Sequence, residues 1–349
     1  VASLRFLPLF LIPALTACGL LAQDWRLWLT PAFSFFVVPL LDQLAGDSPE
    51  GGAAAAAADI ALGRAITCLY VPVQLAVLVL GVRAAAGAHW TPVQWAGAVL
   101  STGLMSGGLG ITIAHELVHR VEPRLRALGG VLLSSVCYGH FMVEHVHGHH
   151  TWVATPRDPS SARRGESAFR FYPRTVLGTF LSALVLEREH RAKRGKSFLH
   201  DRVLLTWLLT LAFAAAALSC GPRGLAFFLA QSVVAFSLLE LINYVEHYGL
   251  SRRELSPGRY EGVDFTHSWD SRRIVSNIFL INLQRHSDHH KYPTRDFPAL
   301  RFHETAPVLP AGYPVMLLLA LFPPAWFRVM DRRLGATARS NSSATSSAL

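Results

Sequence analysis

The sequence predicts an all-α polytopic membrane protein, with six transmembrane helices and a histidine-rich metal site gathered at one membrane face. Three observations carry that reading. Of the 349 residues, 51% are hydrophobic and only 16% charged, against about 25% charged in soluble domains. Six stretches are long and apolar enough to cross about 30 Å of hydrocarbon as helix. Nine of the 16 histidines fall into four tight clusters at the ends of such stretches or just beyond them.

The six predicted spans are 4–22, 28–45, 65–86, 92–114, 203–219 and 223–245. The first two form a hairpin around Gln23-Asp24-Trp25-Arg26, and the last two form another around Cys220-Gly221-Pro222-Arg223. The 46–64 connection, with Gly51-Gly52 and a six-alanine run, reads as a low-complexity loop. Segment 127–146 is apolar but carries Gly129, Gly130, Ser134, Ser135, Tyr138 and His140, so it reads as a helix buried in the protein or lying at the interface. Segment 313–329, interrupted by Pro323-Pro324, reads as an interfacial helix. The Ser/Ala/Thr-rich stretch 336–349 is expected to be a disordered tail, leaving 1–335 as a single membrane-embedded domain.

The formal net charge is +9 and the isoelectric point about 9.8. The apolar segments leave little room for a basic domain, so a nucleic-acid partner is not expected. Residues 120–202 hold 14 Lys/Arg against 7 Asp/Glu, which by the positive-inside rule places that segment in the cytoplasm. Six spans then put both termini and all four histidine clusters on the cytoplasmic side, whereas a seventh would split the clusters. The acidic excess of 46–64 supports this orientation poorly. Cys18, Cys68, Cys137 and Cys220 form no CxxC pair and read as small buried apolar residues. Leu15-Thr16-Ala17-Cys18 also resembles a lipoprotein cleavage box, although 4–22 is long enough for an uncleaved span.

The histidines carry the chemistry. His115 and His119 in HELVH are four apart, so on a helix both imidazoles face one side. HExxH is also the zincin motif, with Glu116 as general base, and alone it reads equally well as a structural pair. EHVHGHH repeats the i, i+4 spacing in His145 and His149 and adds His150. His247 ends the sixth span in NYVEHYGL. LQRHSDHH gives His286 and His289 at i, i+3, with His290 adjacent. Nine imidazoles exceed the coordination number of one ion, which argues for two. Zinc, copper and non-haem iron all suit such a site. Glu116, Glu144, Glu246 and Asp288 lie beside the ligands in sequence, placed to accept the second imidazole N–H.

HELVHR, EHVHGHH followed by VATPRDPSSAR, NYVEHYGL, HSW and LQRHSDHHKYPTR together resemble the membrane-bound alkane 1-monooxygenases, within the membrane fatty acid desaturase/hydroxylase superfamily. The likeness covers about residues 90–333, including Gly258-Arg259-Tyr260-Glu261, Val275-Ser276-Asn277 and 317–331. NYVEHYGL is the most specific motif. Desaturases usually show HxxHH as their second box, whereas this chain has HxxxHH. The resemblance implies a di-iron site held by His115, His119, His145, His149, His150, His247, His286, His289 and His290. Asp158 and His267, from the matched stretches, join the carboxylates as outer partners, and no catalytic side chain is assigned beyond the metal centre. It also implies O₂-dependent terminal hydroxylation of n-alkanes in the bacterial inner membrane. Two electrons come from rubredoxin, itself reduced by an NAD(P)H-dependent reductase. With no rubredoxin-like CxxC pairs, the chain is expected to borrow that partner at the cytoplasmic surface.

Two positions depart from the family pattern, His147 where Asn or Arg is commoner, and Thr151-Trp152 where a charged pair is common. The spacing points His147 away from the His145/His149 face. His140 reads as a satisfied buried histidine, and His89, His190, His200 and His303 as surface or interface residues. An apolar substrate channel is expected among spans one to four, with Gly103, Gly107, Gly108 and Gly110 either lining it or serving helix packing. Basic residues of 157–202 either steer an acidic rubredoxin or contact lipid headgroups. Methyl hydroxylation of alkyl-aromatics and fatty acyl desaturation or hydroxylation are the alternative activities.

Overall fold

The computed structural model describes residues 2–49 and 55–346, with side chains omitted for 336–346. Six helices have the length and apolarity of membrane spans: α1 (Ala2–Ala22), α2 (Trp25–Ala45), α3 (Ala57–Gly87), α4 (Pro92–Val118), α8 (Arg202–Ser219) and α9 (Pro222–His247). Between α4 and α8 lie α5 (Pro123–Ser134), α6 (141–152) and α7 (Ala168–Lys193). After α9 come a short antiparallel pair, β1 (Glu254–Ser256) and β2 (Arg259–Tyr260), and the helices α10 (Ile274–Phe279), α11 (His286–Lys291), α12 (Tyr313–Ala320) and α13 (Pro323–Ser346).

The α1–α2 hairpin turns where expected. Gln23 adopts a left-handed conformation and donates its N–H to Gly19 O at 2.8 Å. A Cβ on Gly19 would sit 2.6 Å from Arg26 O, so only glycine allows the chain to fold back this tightly. The third span begins earlier than predicted. The second half of the 46–64 connection is helical from Ala57, because alanine is the strongest helix former. At 31 residues, α3 is about 46 Å long, so it outruns the hydrocarbon. Its extra turns pack on the 294–300 segment: Gly63 meets Pro298 and Phe297, and Arg64 Nε donates to Asp296 Oδ1 at 2.8 Å. Residues 50–54, including Gly51-Gly52 and the start of the alanine run, lie outside the described residues.

Segment 127–146 does not cross as a span. It is two helices, α5 and α6, separated by a turn with Cys137 at φ 57°, and its inner face is buried against α4. The predicted interfacial helix at 313–329 is also two helices, broken at Leu321-Phe322. Tyr313, Met316, Trp326 and Met330 are buried in a second apolar cluster with α9 residues Tyr244 and Val245. The expected tail falls on residues whose side chains, or in 347–349 whose backbone too, lie outside the description.

Helix α7 was not foreseen. Ala168, Phe171, Thr175, Thr179, Ala183 and Glu187 form its buried stripe at the three-to-four-residue spacing of one helical face. Phe169, Leu177, Leu181, Leu184 and Val185 stay exposed.

Candidate metal centre

The ends of α4 and α9 and the short helices α6 and α11 converge at one end of the bundle. Helix α4 delivers His115 and His119 one turn apart, as predicted. In α6, His145–His149 is a π-helical turn, and its wider i→i+5 pitch changes which rings meet. His145 and His150, five residues apart, bring their Nε2 atoms to 3.0 Å. His149 turns to the other side, so the i, i+4 spacing of His145 and His149 does not put both rings in one group. The i, i+3 pair of α11 divides in the same way. His286 meets His290, with Nε2 atoms 3.0 Å apart, while His289 reaches His150 at 3.1 Å. His247 Nε2 lies 3.2 Å from His286 Nε2.

The nine rings therefore fall into two groups. His115, His119, His145, His150 and His289 form one, and His149, His247, His286 and His290 form the other. Within each group the facing ring nitrogens lie within 4.8 Å of one another. The groups adjoin, with the His145 and His149 ring centroids 5.2 Å apart.

The donor set fits a pair of metal ions. Nε2 of His115, His119 and His149 is buried with no hydrogen-bond partner, and each such orphan costs about 1–3 kcal/mol unless something satisfies it. Burial, followed by the neighbouring imidazoles, holds His145, His150, His286, His289 and His290 well below the usual histidine range. They are neutral, the form that ligates metal. An all-nitrogen set of borderline ligands suits iron, zinc or copper.

The outer partners are only partly those expected. Asp158 Oδ2 accepts from His149 Nδ1 at 2.9 Å and from Ser161 Oγ at 2.6 Å. His247 Nδ1 lies 3.4 Å from the backbone oxygen of His267, so His267 acts through its carbonyl while its ring accepts from Asp264 N. Glu246 Oε2 stands 3.2 Å from His286 Nε2, on the metal side rather than behind the ring, and its Oε1 accepts from Tyr313 OH at 2.8 Å. Glu116 accepts from Phe297 N at 3.1 Å and lies 3.7 Å from Arg120, which removes it from a zincin's general-base position. Glu144 packs on Gly148 and accepts from Ser182 at 3.4 Å. Asp288 turns to Arg295 (2.6 Å) and His303 (2.8 Å), not to a ligand.

The sequence profile of the fatty acid desaturase family matches residues 88–319. Alkane 1-monooxygenase 2 of Pseudomonas aeruginosa is 44% identical over 321 residues, 88% of this chain and 84% of that protein. Alkane 1-monooxygenase 2 of Alcanivorax borkumensis is 39% identical over 90% of this chain and 84% of its own length. The chain belongs to the membrane-bound alkane 1-monooxygenase family. It is an oxidoreductase and a multi-pass membrane protein. The xylene/toluene monooxygenase hydroxylase component XylM of Pseudomonas putida is 28% identical over 93% of this chain and 87% of that protein.

Two neighbouring cavities in this monooxygenase share a wall residue, and the inner one is lined by histidines. The outer one, about 60 Å³, is lined by Ile12, Phe35, Gly108, Leu238, Phe279 and Leu317, among others. The inner one, about 20 Å³, is lined by Gly107, Ile111, His115, His145, Glu246 and His286, among others. Ile242 lines both. The expected channel therefore draws on spans one, two and four but also on α9, α10 and α12, and not on span three. Of the four glycines, Gly107 and Gly108 line the cavities. Gly103, Gly107 and Gly110 also pack closely, on Val234, the Ala235 backbone and Gln74.

Three polar residues escaped the sequence reading. Asp270 accepts from Ser287 N and Oγ, both at 2.8 Å, and so anchors the first turn of α11. It follows HSW directly, and that adjacency was the available signal. Tyr313 gave no sequence signal. Glu240 did, as a carboxylate inside the sixth span. It accepts from Tyr138 OH and Thr175 Oγ1, both at 2.6 Å, and from Asn243 Nδ2 at 3.2 Å, and Asn243 lines the inner cavity. His147 points away from both groups, with Nε2 3.1 Å from Arg202 Nη1. His140 is buried but not satisfied: neither ring nitrogen has a partner, and the ring is wedged against Tyr138 and Phe180.

Proposed function

We propose that this monooxygenase hydroxylates the terminal carbon of n-alkanes at a pair of non-haem irons, with electrons from rubredoxin and its NAD(P)H-dependent reductase. The reaction balances as RH + O₂ + 2e⁻ + 2H⁺ giving ROH + H₂O. The observation that carries the reading is the division of nine histidines, eight buried and His150 half-buried, into two adjoining groups beside an apolar cavity. The irons would supply O₂ reduction and oxidation of a strong C–H bond that offers no polar handle. His115, His119, His145, His150 and His289 would hold one ion, and His149, His247, His286 and His290 the other.

The chain's remaining residues bind and orient. An alkane partitions into the bilayer and needs no aqueous step. The apolar walls recognise it by shape, and Gly108, which has Leu238 alone nearby, leaves the wall low where the chain must pass. Asp158 fixes the His149 ring, and Glu246, held by Tyr313, is the one carboxylate on the inner cavity wall. The basic excess of 120–202 supports an active site facing the cytoplasm of the inner membrane.

The test is reconstitution with rubredoxin, its reductase, NADH and a panel of octane, hexadecane and xylene, alongside metal analysis. The expected result is two irons per chain and primary alcohols from the alkanes. Turnover of xylene alone would assign methyl hydroxylation of alkyl-aromatics, and an alkene without alcohol would assign desaturation. No NADH consumption with any substrate would overturn the monooxygenase reading of the site.

A further inference from the structure

A separate cavity, about 430 Å³ in volume, opens beside the metal centre between α5, α6, the end of α7, the 194–201 connector and the start of α8. Its lining combines apolar residues, Val118, Met142, Val146, Leu199 and Leu205, with basic ones, Arg126, Arg191, Arg194, Lys196 and Arg202. Two of these cations are already neutralised. Arg202 holds Glu187 at 2.6 Å and Arg191 lies 3.1 Å from Asp201. Among the described residues, Arg126, Arg194 and Lys196 have no acidic partner within ion-pair distance, and all three side chains lie on the exposed surface. The positive field reaches His190, whose imidazole is held below its ordinary range by burial and then by Arg202, Arg194 and Lys196.

Position decides what this field is for. Val118 is the last residue of one span and Arg202 the first of another, so the cavity straddles the boundary between hydrocarbon and water. Phe198 and Leu199 are exposed on its rim at 63% and 65%, and the outward face of α7 is apolar. A ligand here meets both apolar side chains and three cations without an acidic partner. A concave site of this size admits a headgroup more readily than the convex face of a folded protein.

We propose that this cavity binds the phosphate of an anionic phospholipid, with Arg126, Arg194 and Lys196 as the charge partners and Val118, Met142 and Leu205 against the glycerol and first acyl carbons. The cavity adjoins the metal centre. Arg202 on its wall meets His147 Nε2 with Nη1 at 3.1 Å, and His147 lies in the turn between His145 and His149.

The experiment uses the full chain in nanodiscs of phosphatidylcholine containing phosphatidylglycerol. Lipid retained after detergent exchange is counted by native mass spectrometry. The wild type is expected to keep one phosphatidylglycerol per chain in preference to phosphatidylcholine. The triple variant Arg126→Gln, Arg194→Gln, Lys196→Gln should retain it more weakly, by about fivefold per charge and on the order of a hundredfold in all. The corresponding variant Arg126→Lys, Arg194→Lys should retain it. Unchanged metal content and Tm in the triple variant show that the fold is intact; if it does not fold, retention by Arg126→Gln alone decides. Equal retention of both lipids by the wild type, or equal retention by wild type and variant, overturns the proposal. So does displacement of the lipid by millimolar inorganic phosphate, which would make this a free-anion site. A variant that keeps its lipid but loses affinity for an acidic protein would make it a protein-docking surface instead.

Discussion

Asp158 Oδ2 sits 2.9 Å from Nδ1 of His149, both fully buried, and among the described residues this is the one carboxylate that directly backs a ring of the two histidine groups. It orients the ring so that Nε2 faces its group, and Ser161 and the backbone of Ser160 hold the carboxylate in turn. Asp158→Asn keeps the shape and removes the charge. Outer partners of this kind are worth about 10- to 100-fold in metal affinity. The variant should lose metal selectively from the group of His149, His247, His286 and His290. Metal content after chelator challenge checks it, and a stoichiometry equal to wild type would refute this role.

Asp270 holds the start of α11, which carries three of the nine histidines. Asp270→Asn keeps one acceptor oxygen for two donors, Ser287 N and Oγ, in a site 1% exposed. The expected loss is about 1–3 kcal/mol of stability, with a lower Tm in the metal-loaded protein. Ser287→Ala removes one of the two bonds and should cost less. An unchanged Tm in both would show that α11 is held by other means.

Glu246 and Tyr313 predict a split in the kinetics. Glu246→Gln preserves volume on the inner cavity wall but replaces the carboxyl group that stands 3.2 Å from His286 Nε2. Removal of a positioned carboxylate at the reacting site should lower kcat by about 100-fold, with KM for the alkane little changed. Tyr313→Phe, which frees one oxygen of that carboxylate, should show a milder fall of the same kind. A rise in KM with kcat intact would instead make Glu246 a wall residue for substrate.

Gly108 offers a handle on chain length. A Cβ there would lie 3.3 Å from Leu238 Cδ2, so a larger side chain must project into the outer cavity. Gly108→Leu should shift preference from hexadecane toward octane by about tenfold in kcat/KM, with metal content unchanged. Product ratios from mixed substrates measure it directly. Equal loss of both activities would show that the substrate enters elsewhere.

Hydropathy made the spans legible, and the flanking motifs made the family legible. What stayed hidden has identifiable causes. Helix α7 turns small and polar residues such as Thr175 and Thr179 inward and leucines outward, the reverse of a soluble amphipathic helix, so its pattern reads as an undistinguished basic segment. The first turns of α3 were masked by alanine repetition together with the charges of Asp59 and Arg64. The grouping of the histidines could not follow from spacing, because spacing predicts a shared face only once the turn type is known. Asp270 and Tyr313 reach the site through contacts 17 and 67 residues away in sequence, which no local pattern encodes.

The π-helical turn at His145–His149 gives the HxxxHH box a geometric meaning. In an HxxHH box on an ordinary α-helix, the first and last histidines stand four apart and share a face. Here they stand five apart, and the wider turn restores that alignment. The additional residue is absorbed as a local widening of the backbone, leaving the outer pair of imidazoles in register. Deleting Gly148 would shorten the box to HxxHH and let the segment relax to α-helical pitch. The five-residue spacing of the motif and the widened turn are thus one feature, written once in the sequence and once in the hydrogen-bonding of the helix.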